Sequence, residues 1–145
     1  LKKEFSYAFV GHDYPGAPQI RLLTINETPF DIGDIHFVPI RAIHKDLPVL
    51  GFRIHDFTYI TDANFIAESE LEKIKGSKIL VLNALRKEPH YSHFSLSEAI
   101  EIVHRIQPEK AFFTHISHHL GLHEDVEKEL PENIFLAFDG LQINV

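Results

Sequence analysis

Apolar and polar positions alternate through most of the first sixty residues. PFDIGDIHFVPIRAI (29–43) switches character around Gly33-Asp34, a β-hairpin signature. VLGFRIHDFTYIT (49–61) repeats the pattern and turns near His55-Asp56. IRLLTI (20–25) reads as a further strand. Ahead of it, Tyr14-Pro15-Gly16 and Ala17-Pro18 break any regular element. These features predict an antiparallel meander.

The period changes after Asp62. Ser69 is placed to cap a short helix over 70–75, which Gly76 ends. KILVLNAL (78–85) is continuously apolar, as expected of a strand covered on both faces. A polar loop over 86–94 contains Pro89. Ser95 with Glu98 forms a capping box, opening a helix whose Leu96, Ala99, Ile100, Val103 and Ile106 share one face. KAFFT (110–114) reads as a second buried strand, followed by a short acidic helix near 123–130. IFLAFDGLQINV (134–145) reads as a closing hairpin on Asp139-Gly140. The predicted fold class is α/β in a layered α+β form, a mixed sheet with helices on one face.

Composition narrows the chemistry. The chain of 145 residues is one domain's length and can bury a core. A formal net charge of -7 argues against broad binding to nucleic acid or an anionic membrane. No apolar run approaches the ~20 residues of a membrane span, and no basic-then-apolar leader is present, so a cytoplasmic location is expected. Cysteine is absent, which excludes disulfides and thiolate metal sites. A metal would therefore be held by His, Asp or Glu, and the chain has 11 histidines. Methionine is absent too, and residues 1–145 are read as a piece of a longer protein.

In a sheet of this kind, polar residues at strand C-terminal ends gather on one edge. His44 follows VPIRAI, Asp62 follows FTYIT, His93 lies in the loop after KILVLNAL, and His115 follows KAFFT. Each has an ordinary structural reading: a loop histidine, a turn aspartate, a helix flank. Their shared edge is what favours a site. The other histidines fit elsewhere. His12 lies among breakers, His36 on a strand's outer face, His55 at a turn and His104 on the polar side of a helix. His90 shares the His93 loop and is expected either to face solvent or to support the site from behind. His119 and His123 stand four apart but straddle Gly121, which argues against a helical pair.

YITDAN, HFSLSEAI and FFTHISHHLG, in that order after a lone His, resemble the C-terminal half of the metallo-β-lactamase superfamily. The likeness is strongest to its phosphodiesterase branch, which includes ribonuclease Z and the cyclic phosphodiesterases of phosphonate breakdown. The resemblance implies an αβ/βα sandwich with two divalent metal ions, zinc ahead of manganese, at a sheet edge. It further implies His44 and His115 as ligands of the first and second metal, Asp62 as the bridging carboxylate and His93 as a non-ligand proton donor. His118, in the same THISH segment, takes a supporting place behind the ligands. The superfamily's leading H-x-H-x-D-H motif is missing, since no two histidines here are spaced by one residue. The chain is therefore expected to be the C-terminal portion of the enzyme, probing as inactive and prone to self-association when isolated.

The implied activity is hydrolysis of a small phosphodiester by a hydroxide shared between the metals, with His93 protonating the leaving group. The helix start behind His93 is expected to favour the anion. Two other readings stay open: a same-fold hydrolase of esters, lactones or thioesters, and a degenerate module that only binds.

Overall fold

A computed structural model describes residues 1–9, 16 and 18–144. His12, most of the breaker stretch around it and Val145 lie outside the described residues. The alternating segments form the meander that the pattern predicts. Strands β1 (Phe30–Ile32), β2 (Ile35–His44), β3 (Leu47–Ile54) and β4 (Phe57–Ile60) pair antiparallel in chain order. A two-residue strand, β5 (Phe65–Ile66), pairs with β2. Tight turns join the long strands, with Lys45 and His55 in left-handed backbone at φ 58° and 50°.

From Asp62 onward each strand returns through a helix. The order is α1 (Glu68–Ile74), β6 (Ile79–Asn83), α2 (Leu96–Ile106), β7 (Lys110–Thr114), α3 (His123–Glu127) and β8 (Ile134–Leu136). β4, β6, β7 and β8 pair parallel. Parallel neighbours need a crossover, and the helices supply it. The result is one mixed sheet of eight strands, in the order β1-β2-β3-β4-β6-β7-β8 with β5 beside β2.

All three helices share one buried cluster with alternate strand residues. Leu71 and Ile74 of α1, Ala99 and Val103 of α2 and Val126 of α3 join Ile60, Leu80, Leu82, Ala111, Phe113, Ile134 and Leu136. Val81 and Phe112 point to the opposite face yet are also buried, and Phe112 stacks on Phe135 at 5.5 Å. This matches the unbroken apolar run of KILVLNAL. α1 is pinned to β2 by Glu70, whose carboxylate accepts from the Arg41 backbone N–H at 2.8 Å and from Lys73 Nζ at 2.8 Å.

Five local expectations change. IRLLTI forms no strand, because no neighbour pairs with it; Leu22 and Leu23 are exposed. Ser69 is not the cap of α1: Ala67 holds that position, and Ser69 lies in the first turn with Glu68 and Glu70, where carboxylates suit the helix dipole. The capping box of α2 does form as expected, but Ile102 is buried while Ile100 is only partly so. The chain does turn at Gly140, φ 88°, but no closing hairpin follows. β8 instead pairs parallel with β7. The acidic helix is also shorter than expected, ending at Glu127. Among the described residues no helix is long and apolar enough to cross a membrane.

Gly51 is a steric requirement of the β3–β4 contact. A Cβ there would lie 2.5 Å from Ile60 Cγ1 and 2.8 Å from the Tyr59 carbonyl oxygen. Ile60 is fully buried and cannot swing away. Gly51→Ala is expected to cost about 1–3 kcal/mol, the usual range for overpacking, read as a lower denaturant midpoint. An unchanged midpoint would show that the strands can separate freely.

Candidate metal centre

Strand direction brings the expected residues together. β2 and β4 are both antiparallel to β3, so they run the same way, and β6 and β7 run parallel to β4. The C-terminal ends of these four strands therefore meet on one edge. His44 is the last residue of β2, Asp62 follows β4, and His115 follows β7 directly. His93 arrives from the β6–α2 loop, two residues before the Ser95 cap.

The four side chains form one group. The His93 ring lies 4.7 Å from that of His44 and 4.7 Å from that of His115. Asp62 Oδ1 is 3.1 Å from His115 Nδ1. One nitrogen or oxygen from each of Asp62, His93 and His115 lies within 4.8 Å of the others. This tight triple contains His93, whereas the ligand set implied by the resemblance has His44 in its place. The His44 ring meets the His93 ring edge-on, at an interplanar angle of 79°. Asp62 and His115 keep 48% and 41% of their side-chain surface exposed, so the group opens to solvent.

Two of these residues hold strained backbone. Asp62 has φ 55° and His115 φ 56°, a left-handed region that costs a non-glycine residue roughly 1–2 kcal/mol. Strain of this kind persists only where the surroundings impose it. Here the loops are cross-tied. The Asn64 backbone N–H donates to the Ile43 carbonyl at 2.8 Å, and the Lys45 N–H donates to Asn64 Oδ1 at 2.7 Å. These bonds join the loop of Asp62 to that of His44. Leu85 N–H donates to the Phe94 carbonyl at 3.0 Å and Ser117 N–H to the Leu85 carbonyl at 2.9 Å, joining the loops of His93 and His115.

His93 has the most distinctive environment. Its Nε2 is buried and has no hydrogen-bond partner among the described residues. Its Nδ1 lies 2.9 Å from Ser92 Oγ and 3.2 Å from His90 Nδ1. The Ser92 backbone N–H can only donate, and it donates to His90 Nδ1 at 3.4 Å, which makes that nitrogen an acceptor. With its proton on Nδ1, where Ser92 Oγ or His90 Nδ1 can accept it, a neutral His93 ring presents an unshared pair on Nε2. Burial holds the His93 imidazole below its ordinary range, reinforced by His115 and His44 and opposed by Asp62. A carboxylate and two imidazoles, one with a buried free nitrogen pair, are a donor set that a divalent ion accepts. The residues present fit a metal.

The remaining histidines spread out. His118 is exposed and lies against His119, with ring centroids 3.9 Å apart. Among the described residues it makes no hydrogen bond or ring contact with Asp62, His93 or His115. His123 faces Glu127 at 3.8 Å, and His36 bonds Asp31 at 2.7 Å on an exposed surface. Of the two readings open for His90, the supporting one matches its position. Its ring sits 5.2 Å from that of His93 and 4.4 Å from that of Tyr91. Lys45 Nζ lies 5.5 Å from the centre of the Tyr91 ring. The only advance signal was the spacing of His90 and His93 in one short loop. The start of α2 differs from expectation as well. Glu98 Oε2 accepts from both the Ser95 N–H and the Ser95 hydroxyl, so a carboxylate of this chain already occupies that helix end.

With this geometry in hand, comparison with known proteins gives a consistent result. A family model described as a beta-lactamase superfamily domain matches residues 1–116. An octanoyltransferase from Porphyromonas gingivalis (strain ATCC BAA-308 / W83) is 33% identical over 144 residues, covering 98% of this chain and 29% of that protein. The crystal structure of a new diphosphatase from the PhnP family is 32% identical, with a TM-score of 0.85 over 88% of this chain and 50% of that one. The metallo-beta-lactamase fold protein YhfI from Bacillus subtilis shares the fold, with a TM-score of 0.74 at 16% identity over 96% of this chain and 59% of that one. The chain thus spans half or less of the first two relatives. Matches to both sequence and fold agree with the resemblance carried by YITDAN, HFSLSEAI and FFTHISHHLG: the chain belongs to the beta-lactamase superfamily and has the metallo-β-lactamase fold.

Proposed function

We propose that this chain supplies part of the active site of a metal-dependent phosphodiesterase. In this reading His44, Asp62 and His115 are ligands of two divalent ions, zinc before manganese, and His93 is the proton donor. The observation that carries it is the gathering of Asp62, His93 and His115, with a His93 Nε2 that is buried and unpartnered among the described residues. Family membership implies divalent metal binding, and this cluster is its candidate place in the chain. The substrate is a small phosphodiester, in keeping with the likeness to a PhnP-family diphosphatase and with the acidic net charge.

Divalent ions supply Lewis acidity and an activated water to such a reaction. The chain's own residues do the rest. Asp62 has two oxygens, one of them already directed at His115, so it can serve two positive centres at once. The imidazoles of His44 and His115 add donors without adding charge. His93 is neutral in the free protein, because burial disfavours its cation. A phosphodiester entering the group brings a negative charge that offsets this desolvation and favours the imidazolium. The proton then sits on Nε2, facing the group, while Nδ1–H stays anchored by Ser92 and His90. From Nε2 it can pass to the leaving alkoxide. With Glu98 already at the α2 terminus, the substrate anion is met by the metal ligands' side of the group and not by that helix.

A substrate screen tests the reading. The intact protein is expected to turn over a chromogenic phosphodiester in a metal-dependent way, and to leave a lactone and an octanoyl thioester essentially untouched. The reverse order of preference would replace the phosphodiesterase with an acyl-group enzyme on the same fold.

A further inference from the structure

We propose that Asn83 is a positioning residue for this centre, its buried carboxamide locking the Ala63 peptide and through it the backbone of Asp62 and the His93 loop. The proposal rests on the metal-centre reading above. Asn83 is the last residue of β6 and is completely buried. It is the one polar side chain in the run ILVLNAL (79–85). A buried amide is costly unless hydrogen-bonded, so its partners reveal its purpose.

Both partners are the same residue. Asn83 Oδ1 accepts from the Ala63 N–H at 2.9 Å, and Asn83 Nδ2 donates to the Ala63 carbonyl at 3.0 Å. β4 has already ended at Ile60, so no strand ladder reaches Ala63. The side chain of Asn83 takes the place of that ladder. The Ala63 carbonyl also accepts from the Phe94 N–H at 2.9 Å, next to His93. One peptide thus lies between Asp62 on one side, Asn64 with its bonds to the His44 loop on the other, and the His93 loop above. The left-handed φ of Asp62 is held where two bonds from one side chain fix the following residue.

The chemistry demanded is specific. The side chain must accept and donate at once, at the reach of one methylene from Cα. A carboxylate offers no donor, and a leucine offers neither group. A protonated carboxyl offers both, and burial raises the pKa of a carboxyl.

The test compares Asn83→Leu, Asn83→Asp and Asp62→Ala in the intact protein, reading zinc affinity by calorimetric titration of the metal-free form and hydrogen exchange at the Ala63 amide. Asn83→Leu is expected to weaken zinc binding about 10–100-fold, the scale found for groups that orient metal ligands, and to speed exchange at Ala63. Asn83→Asp is expected to bind far better than Asn83→Leu at the lower pH values. Its deficit relative to the unsubstituted protein should grow as the introduced carboxyl ionises. A residue needed only for packing would rank the two variants the other way, and that ranking overturns the proposal, as does unchanged affinity in Asn83→Leu. Should Asn83→Leu fail to fold, the pH-dependent deficit of Asn83→Asp decides alone, and its absence overturns the proposal. Asp62→Ala separates the two layers. If it binds zinc normally, the metal-centre reading itself falls. If it loses zinc while Asn83→Leu keeps it, only the role of Asn83 falls.

Discussion

Replacing His93 with alanine is expected to lower phosphodiester turnover by about 10²–10⁴-fold, the usual contribution of a general acid, while metal content stays at the unsubstituted level. Elemental analysis and steady-state kinetics on the same preparation read both quantities. The geometry makes this a sharp test, because a ring nitrogen of His93 lies within 4.8 Å of ligand atoms of Asp62 and His115, and its buried Nε2 has no hydrogen-bond partner among the described residues. The same atom can present a lone pair to a metal or a proton to a leaving group. Metal loss in His93→Ala would make it a ligand and move His44 to the supporting place.

The pH profile gives an independent reading. Burial holds the His93 pKa below the ordinary value of ~6.5. The imidazolium fraction of the free protein therefore falls as pH rises through that lowered pKa. Since a general acid must be protonated, kcat/KM should decline on the alkaline side of it. A bound anion raises the pKa, so the corresponding limb in kcat should lie at higher pH than in kcat/KM. His93→Ala should lose this limb. A variant that kept it would show that another group donates the proton.

Asp62→Ala is expected to strip the metal. Its carboxylate contacts His115 Nδ1 at 3.1 Å and supplies the only negative charge of the tight triple. The substitution also removes a residue that tolerates left-handed backbone and leaves an alanine at φ 55°, which adds roughly 1–2 kcal/mol of strain. Asp62→Asn separates these effects, because asparagine accepts that φ but carries no charge. Metal loss in both variants assigns the effect to the carboxylate. Metal loss in alanine alone assigns it to the backbone, and metal retained in both removes Asp62 from the ligand set.

Much of the molecule was legible from residue order. Alternation around Gly33-Asp34 and His55-Asp56 marked the hairpins, and the unbroken run KILVLNAL marked the buried central strand. Ser95 and Glu98 marked the start of α2, because a capping box is closed by residues three apart. Even the common edge of His44, Asp62 and His115 followed from elements recognisable locally, since an even number of antiparallel reversals and a helical crossover both restore strand direction. Such features depend on neighbours within a turn or a hairpin, whose distances the covalent chain already limits.

Tertiary structure decided what depends on a partner far along the chain. IRLLTI has the composition of a strand but pairs with no described strand, and β8 takes its ladder from β7 and not from the residues after Gly140. Ala67, and not Ser69, begins α1, because the helix is placed by its docking on β2 through Glu70. The buried Nε2 of His93, the His90 contact at its Nδ1, and the grip of Asn83 on Ala63 have no signature in spacing. Local pattern selects the type of an element and the face it buries. Which donor meets which acceptor is settled only when the folded backbone brings them within hydrogen-bond range.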